Sequence, residues 1–168
     1  SMEDKEPFLD LVWREHNEDK SLMMSIVMDR DYIGYCGIKN TAQPIWEIAI
    51  ELLPEWTKHG IGFLALTAML DEMKSRLGVS KYIVRIEPAN MASQKLFEKL
   101  GARPSGIVDL WFNEQTTLKK CEEAGLHLID DDMIEVAKKF NVEPRKLLSH
   151  VLEYELLWSG KEVTNGSI

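Results

Sequence analysis

Apolar and polar positions alternate with two different periods along this chain, and the changes of period lay out its elements. Ser21–Met28 (SLMMSIVM) is an apolar run bounded by Lys20 and Asp29, and Tyr32–Ile38 (YIGYCGI) is a second. The short Asp29-Arg30-Asp31 turn between them predicts an antiparallel hairpin. After a polar loop, Lys39–Pro44, the run Trp46–Leu53 reads as a third strand. Ile61–Leu77 changes period: Leu64, Leu66, Met69, Leu70, Met73 and Leu77 recur at helical spacing, and Gly78 supplies the stop. Lys81–Ile86 (KYIVRI) alternates and is rich in β-branched residues, as a strand should be. Asn90–Leu100 reads as a short helix with Asn90 as N-cap and Gly101 as terminator. Gly106–Phe112 and Val151–Trp158 are two further strands, and Glu6–Glu18, with Phe8, Leu11 and Val12 on one face, is an N-terminal helix.

Between the last two strands lies a segment, 113–150, too long for an ordinary loop. Thr116–Ala124 and Asp131–Phe140 read as helices, and Pro144 opens a third with Leu147 and Leu148 buried. The expectation is a single α/β (α+β) domain over 3–160, with a mixed, mostly antiparallel sheet, a helical insert over 113–150 and a flexible tail over 161–168. Its 168 residues can bury a substantial core, and 45% hydrophobic with 29% charged residues is an ordinary globular composition.

Charge and cysteine usage narrow the classes of function. A net charge of −8 argues against a nucleic-acid surface and permits attraction of a basic substrate. Asp130-Asp131-Asp132 weighs against a DNA-reading role for the Phe140–Lys146 corner of the insert. No apolar run is long enough to span a bilayer, so no membrane role is expected. Cys36 and Cys121 have neither metal-ligand spacing nor a need to pair, which makes a reducing cytoplasm the default compartment. His16, His59, His127 and His150 read as surface or packing residues, and no metal is expected.

The densest chemistry lies between Trp46 and Gly101. A strand runs through Pro54-Glu55-Trp56-Thr57-Lys58-His59-Gly60-Ile61-Gly62 into a helix whose first amides have no internal partner. Gly60 and Gly62 let the backbone approach a bound group, so residues 58–63 form an anion cradle. By itself a Gly-x-Gly at a helix start is more often a turn with close packing. The spacing matches neither a dinucleotide fingerprint nor a P-loop.

Joined to Asn90-x-x-Ser93-x-x-x-Phe97-Glu98-Lys99-Leu100-Gly101, the turn resembles the acyl-CoA pyrophosphate loop of the GNAT (GCN5-related N-acetyltransferase) superfamily. The form with Ser93 and no tyrosine is most similar to the branch that acetylates ribosomal-protein N-termini. The resemblance covers roughly Ser21–Phe112 and Val151–Trp158. It implies acetyl-CoA as cosubstrate and transfer of acetyl to a primary amine, on a small molecule or a peptide. It implies that backbone amides of Lys58, His59, Gly60, Ile61, Gly62 and Phe63 bind the pyrophosphate. Leu52 and Leu53 would face the pantetheine arm, with Asn90 bonding that arm or capping its helix, and Ser93 beside the thioester.

The reaction needs a neutral amine, and an alkylammonium has a pKa of about 10.4, so a base must take its proton. Glu47 stands where the family often places a glutamate, and Glu51 shares its strand face by alternation. Glu47 is favoured as base over Glu51, and both are also read as solvated or cation-binding groups. For the leaving thiolate, the tyrosine used by many relatives is replaced by Phe97, which packs and cannot donate. Ser93 is then a candidate donor, with Tyr32, Tyr35 and Tyr154 as others, and a thiol pKa near 8.5 lowers the demand for any.

Three departures keep alternatives open. Thr57 occupies a position where Gln or Arg is usual, Phe97 replaces the acid, and only 20 residues precede Ser21, where the family has a further strand and helices. A first strand is therefore expected to be missing, through truncation or completion by a partner. The rival reading is a non-catalytic acyl-CoA-binding or protein-interaction module on the same fold. The insert reads as a lid or a dimer element, which leaves a homodimer open.

Overall fold

The structure, a computed structural model, describes residues 20–109 and 114–160. The helix expected over Glu6–Glu18, the end of the strand expected to reach Phe112 and the tail 161–168 lie outside the described residues. In chain order the elements are β1 (Ser21–Met28), β2 (Asp31–Lys39), β3 (Trp46–Leu52), α1 (Ile61–Leu77), β4 (Lys81–Ile86), α2 (Met91–Lys99), β5 (Arg103–Asp109), α3 (Gln115–Gly125), α4 (Asp131–Phe140) and β6 (His150–Leu157). Six strands are hydrogen-bonded in the order β1-β2-β3-β4-β6-β5. Of the pairs, β1–β2, β2–β3 and β5–β6 are antiparallel and β3–β4 is parallel. This is the mixed, mostly antiparallel α/β architecture expected from the sequence. The described residues divide into two compact units, one of residues 20–83 with 157–160, the other of residues 84–109 with 114–156.

In the first unit the β1–β2 hairpin closes through Asp29 (φ 50°) and Arg30 (φ 78°), two successive left-handed residues. That is the turn geometry whose twist suits a two-residue hairpin loop. Register slips between Ile26↔Gly34 and Val27↔Tyr32, so β2 carries an extra residue as a bulge. At the bulge Gly34 has φ 152°, and a Cβ there would collide with the Glu51 carbonyl oxygen and sit 2.8 Å from Leu52 Cα. Gly34→Ala is therefore expected to destabilise the protein by about 1–3 kcal/mol, read as a lower midpoint in urea unfolding with unchanged slope. Helix α1 buries Ile61, Leu66, Met69, Leu70 and Met73. Leu64 and Leu77, part of the same periodic set, are exposed at 63% and 56%. The buried stripe is thus narrower than the apolar pattern. Gly78, left-handed at φ 69°, ends the helix with its N–H on the Lys74 carbonyl.

In the second unit Leu152, Tyr154 and Leu156 of β6 are completely buried, with Phe97, Leu118, Val136, Ala137, Phe140 and Leu147 around them in the core. Phe140 packs edge-on against Tyr154, with ring centroids 5.1 Å apart. The Tyr154 hydroxyl donates to Glu98 Oε1 at 3.0 Å, and Lys139 Nζ reaches the same oxygen at 2.7 Å. Helix α4 of the insert is thereby fastened to α2. Strand β5 starts at Arg103, three residues before the expected Gly106. Its opening Arg103-Pro104-Ser105 has no apolar alternation to betray a strand, and cross-strand pairing of Arg103 with Glu155 extends it. The third insert helix is a short 3-10 helix, Pro144–Leu148, rather than an α-helix.

The insert is centred on a buried carboxylate. Glu122 is 2% exposed; its Oε1 accepts from Lys146 Nζ and Ser149 Oγ, each at 2.9 Å, and its Oε2 from Arg145 Nε at 3.0 Å. Burial alone would favour the neutral acid, but the donors from Lys146, Ser149 and Arg145 outweigh it and hold the carboxyl below its ordinary range. His150 continues the network: Nδ1 lies 2.9 Å from the Lys146 carbonyl and 2.7 Å from Ser149 Oγ, and Nε2 lies 2.9 Å from Asp109 Oδ1. The periodicity that places apolar residues says nothing of this network, since Glu122 sits among Lys, Cys and Glu on a polar-looking helix.

Candidate active site

The loop before α1 is built from local bonds. Pro54–Trp56 forms a 3-10 turn, and Thr57 closes it: its N–H and Oγ1 both bond the Pro54 carbonyl, at 3.3 and 2.8 Å. Thr57 is therefore occupied in shaping the turn, which accounts for a residue other than Gln or Arg there. Lys58 (φ 64°) and Gly60 (φ 77°) are both left-handed, and Gly60 is the N-cap of α1. Nothing lies within 4 Å of where a Gly60 Cβ would be. No side chain caps the helix and its first turn holds no acidic residue. The N–H of Leu64 bonds the Gly60 carbonyl at 3.2 Å, so the amides of Ile61, Gly62 and Phe63 precede the first rung of the helix. Lys58 and His59 are exposed beside them. Uncapped amides, a positive helix end and an adjacent lysine suit a pyrophosphate.

Strand β3 brings the two candidate carboxylates onto one face and gives them different surroundings. Glu47 is opposite Lys39 and Glu51 is opposite Tyr35 in the β2–β3 register. Glu47 is only 8% exposed, and Asn40 Nδ2 donates to its Oε2 at 2.8 Å. Glu51 is exposed and accepts from the Tyr35 hydroxyl at 3.3 Å. The nearby Tyr32 hydroxyl titrates higher than usual, through burial first and then the charge of Glu51. Leu52 ends the strand half-buried, and Leu53 continues past it with its N–H on the Ile33 carbonyl at 2.9 Å. The ladder with β2 runs to Leu52, and that with β4 includes Trp46↔Tyr82 and Glu47↔Ile83.

In the second unit Asn90 caps α2, its Oδ1 accepting from the Ser93 N–H at 3.0 Å. The capping role is therefore met, and it uses the carbonyl oxygen of the amide while leaving the NH₂ group as the donor end. Ser93 is half-buried. Phe97 is 2% exposed, in the core as its sequence position suggested. Tyr154 is completely buried, with its hydroxyl pushed upward in pKa by burial and then by Glu98. That leaves Tyr154 poorly suited to donate a proton to a substrate.

The candidates from Glu47 to Phe63 thus lie in the first unit, and Asn90 and Ser93 lie in the second. Sequence reasoning missed Asn40, read only as part of a polar loop. Its signal is an asparagine at the strand end, where the chain needs a left-handed residue (φ 56°).

A family profile described as the acetyltransferase (GNAT) domain matches residues 1–103, and the chain belongs to that family. It therefore carries an acetyltransferase domain. No curated protein matches the sequence. Among solved structures the chain is similar to ribosomal-protein-S5-alanine acetyltransferase from Vibrio fischeri, with 16% identity, 92% of this chain and 70% of that one covered, and a TM-score of 0.57. It is similar to spermidine N-acetyltransferase from Vibrio cholerae in complex with CoA and spermine, at 15% identity, 90% and 74% coverage and TM-score 0.59. Mycobacterium smegmatis RimJ in complex with CoA-disulfide gives 15% identity, 90% and 59% coverage and TM-score 0.58. At these identities the likeness establishes the fold, and it includes ribosomal-protein acetyltransferases of the branch that the sequence resembles.

Proposed function

We propose that the protein transfers acetyl from acetyl-CoA directly to a primary amine, with Glu47 as the base. The observation that carries this reading is Glu47 itself: a carboxylate buried to 8% exposure on β3, fixed by an amide donor, in a family that acylates amines. Acetyl-CoA supplies the activated acyl carbon as a thioester. Glu47 takes the ammonium proton, directly or through one water; the neutral amine nitrogen then bonds the acyl carbon, the C–S bond breaks, and the second proton shed by the acylated nitrogen balances the one that the thiolate gains. Glu51, exposed and held by Tyr35, serves as a cation-binding group for the incoming amine. Backbone N–H groups from Lys58 to Phe63 hold the pyrophosphate, and the β3 backbone near Leu52 and Leu53 accompanies the pantetheine. Asn90 and Ser93 take their roles from the family motif, Asn90 by donating its NH₂ to the pantetheine and Ser93 by returning a proton to the thiolate. The similar structures include a ribosomal-protein-S5-alanine acetyltransferase and a spermidine N-acetyltransferase, so peptide N-termini and polyamines both belong on the acceptor panel.

The test is thiol release from acetyl-CoA with a panel of peptide N-termini, polyamines and small amines, alongside calorimetric CoA binding. Turnover with at least one amine is expected. CoA binding without any acylation would favour the non-catalytic module, a reading that Phe97 in place of a hydroxyl donor motivates. For the cofactor half, Lys58→Glu reverses the charge beside the uncapped amides and is expected to weaken CoA binding about tenfold, roughly 1.4 kcal/mol, without lowering Tm. Unchanged CoA affinity in that variant would remove the pyrophosphate from this loop.

A further inference from the structure

We infer that Asn40 is a positioning residue for the base, and that its amide fixes the Glu47 carboxylate in the orientation from which it accepts the substrate proton. The inference rests on the assignment of Glu47 as base. Backbone geometry supplies its first support. Asn40 follows the last residue of β2 with φ 56°, a left-handed conformation that glycine, asparagine and aspartate adopt most readily. The turn is held from both sides: the Gln43 N–H bonds the Asn40 carbonyl at 2.9 Å, and the Thr41 N–H bonds the Lys20 carbonyl at 3.0 Å. The Asn40 backbone is thus specified by the β2–β3 connection, whatever its side chain does.

Chemistry supplies the second support. Of the three residues suited to that backbone, only asparagine offers a neutral N–H donor. Here Nδ2 donates to Glu47 Oε2 at 2.8 Å across seven residues of chain. Glycine would leave that oxygen without this donor, and aspartate would bring a second carboxylate against the first. A charged group in cross-strand register with Glu47 is Lys39. A lysine stem is flexible, whereas the asparagine amide is planar and is set by a turn, so it defines direction where a lysine defines mainly charge. A general base works only when its oxygen is aimed within hydrogen-bond reach of the proton. Anchoring one carboxylate oxygen orients the other, which makes Asn40 a determinant of turnover rather than of acceptor affinity.

The test compares Asn40→Gly, Asn40→Asp and Glu47→Gln in the full chain with the best amine from the panel. Asn40→Gly keeps the left-handed backbone and removes the donor; kcat is expected to fall at least tenfold, with KM for acetyl-CoA and amine within twofold of the parent. Asn40→Asp keeps backbone and size, and the like charge is expected to move the acidic limb of the kcat/KM profile to higher pH. A purely structural role would alter Tm and leave that limb in place. If Glu47→Gln loses activity while Asn40→Gly keeps kcat within twofold and Asn40→Asp leaves the limb unmoved, the inference is overturned and Glu47 stands as base. If Glu47→Gln itself keeps full activity, the base assignment fails and Asn40 loses its proposed role with it.

Discussion

Glu47→Gln is expected to lower kcat/KM for amine acetylation by about 10²–10⁴, the usual range for a general base, while CoA affinity stays within twofold. The split follows from position. Glu47 lies at the start of β3, while the amides proposed to hold the pyrophosphate lie beyond it at residues 58–63. Glutamine keeps the length of the side chain and can accept the Asn40 N–H through its carbonyl, so folding should be preserved. It cannot take a proton at neutral pH. The companion Glu51→Gln is informative by contrast. Exposed and bonded to Tyr35, Glu51 is expected to affect KM for a cationic acceptor more than kcat. A larger kcat loss in Glu51→Gln than in Glu47→Gln would exchange the two roles.

The largest effect on stability is expected at Glu122. Glu122→Ala should cost roughly 2–3 kcal/mol, below the ~3–5 kcal/mol of a fully buried pair because Arg145 and Lys146 are about half exposed and can turn to water. For a chain of 168 residues that corresponds to a fall in Tm of roughly 4–12 °C by calorimetry. The effect carries a pH signature. Because the folded carboxyl titrates below its unfolded value, its contribution is fully present above the ordinary glutamate range. As pH falls through the depressed folded value, the unfolded chain has already taken up its proton and the contribution is lost. The Tm difference between parent and Glu122→Ala should therefore shrink on acidification. A difference independent of pH down to about 3 would mean that the charge of Glu122 contributes nothing beyond packing.

Much of this fold was legible because apolar period and terminator residues agree along the chain. The ends of β1, α1, β4 and α4 fall where the pattern puts them, each bounded by a turn or a glycine. The errors have identifiable causes. The start of β5 is set by pairing with β6, not by its own side chains, and Pro144 begins a 3-10 turn because the following residues lead at once into β6. For the site, the glycine turn before α1 and the Asn90 cap could be read from residue types alone. The unlike surroundings of Glu47 and Glu51 could not. Both sit on the same strand face, and what separates them is a cross-loop bond from Asn40 and a cross-strand hydroxyl from Tyr35. Those contacts depend on register and on one left-handed backbone angle, neither of which leaves a periodic trace in sequence. The same holds for Glu122, whose partners are 23–27 residues away along the chain.

The fastening of α4 to α2 has a consequence for how the second unit comes apart. Glu98 accepts from both Lys139 and Tyr154, and Phe140 rests on the Tyr154 ring. Fraying of the last turn of α4 strips Lys139 from Glu98 and uncovers one edge of Tyr154. Fraying of the end of α2 takes Glu98 away from both donors. Neither helix end can open without exposing groups that belong to the other, so the two behave as one cooperative opening unit. The insert thus braces the C-terminal end of the helix that Asn90 caps at its other end.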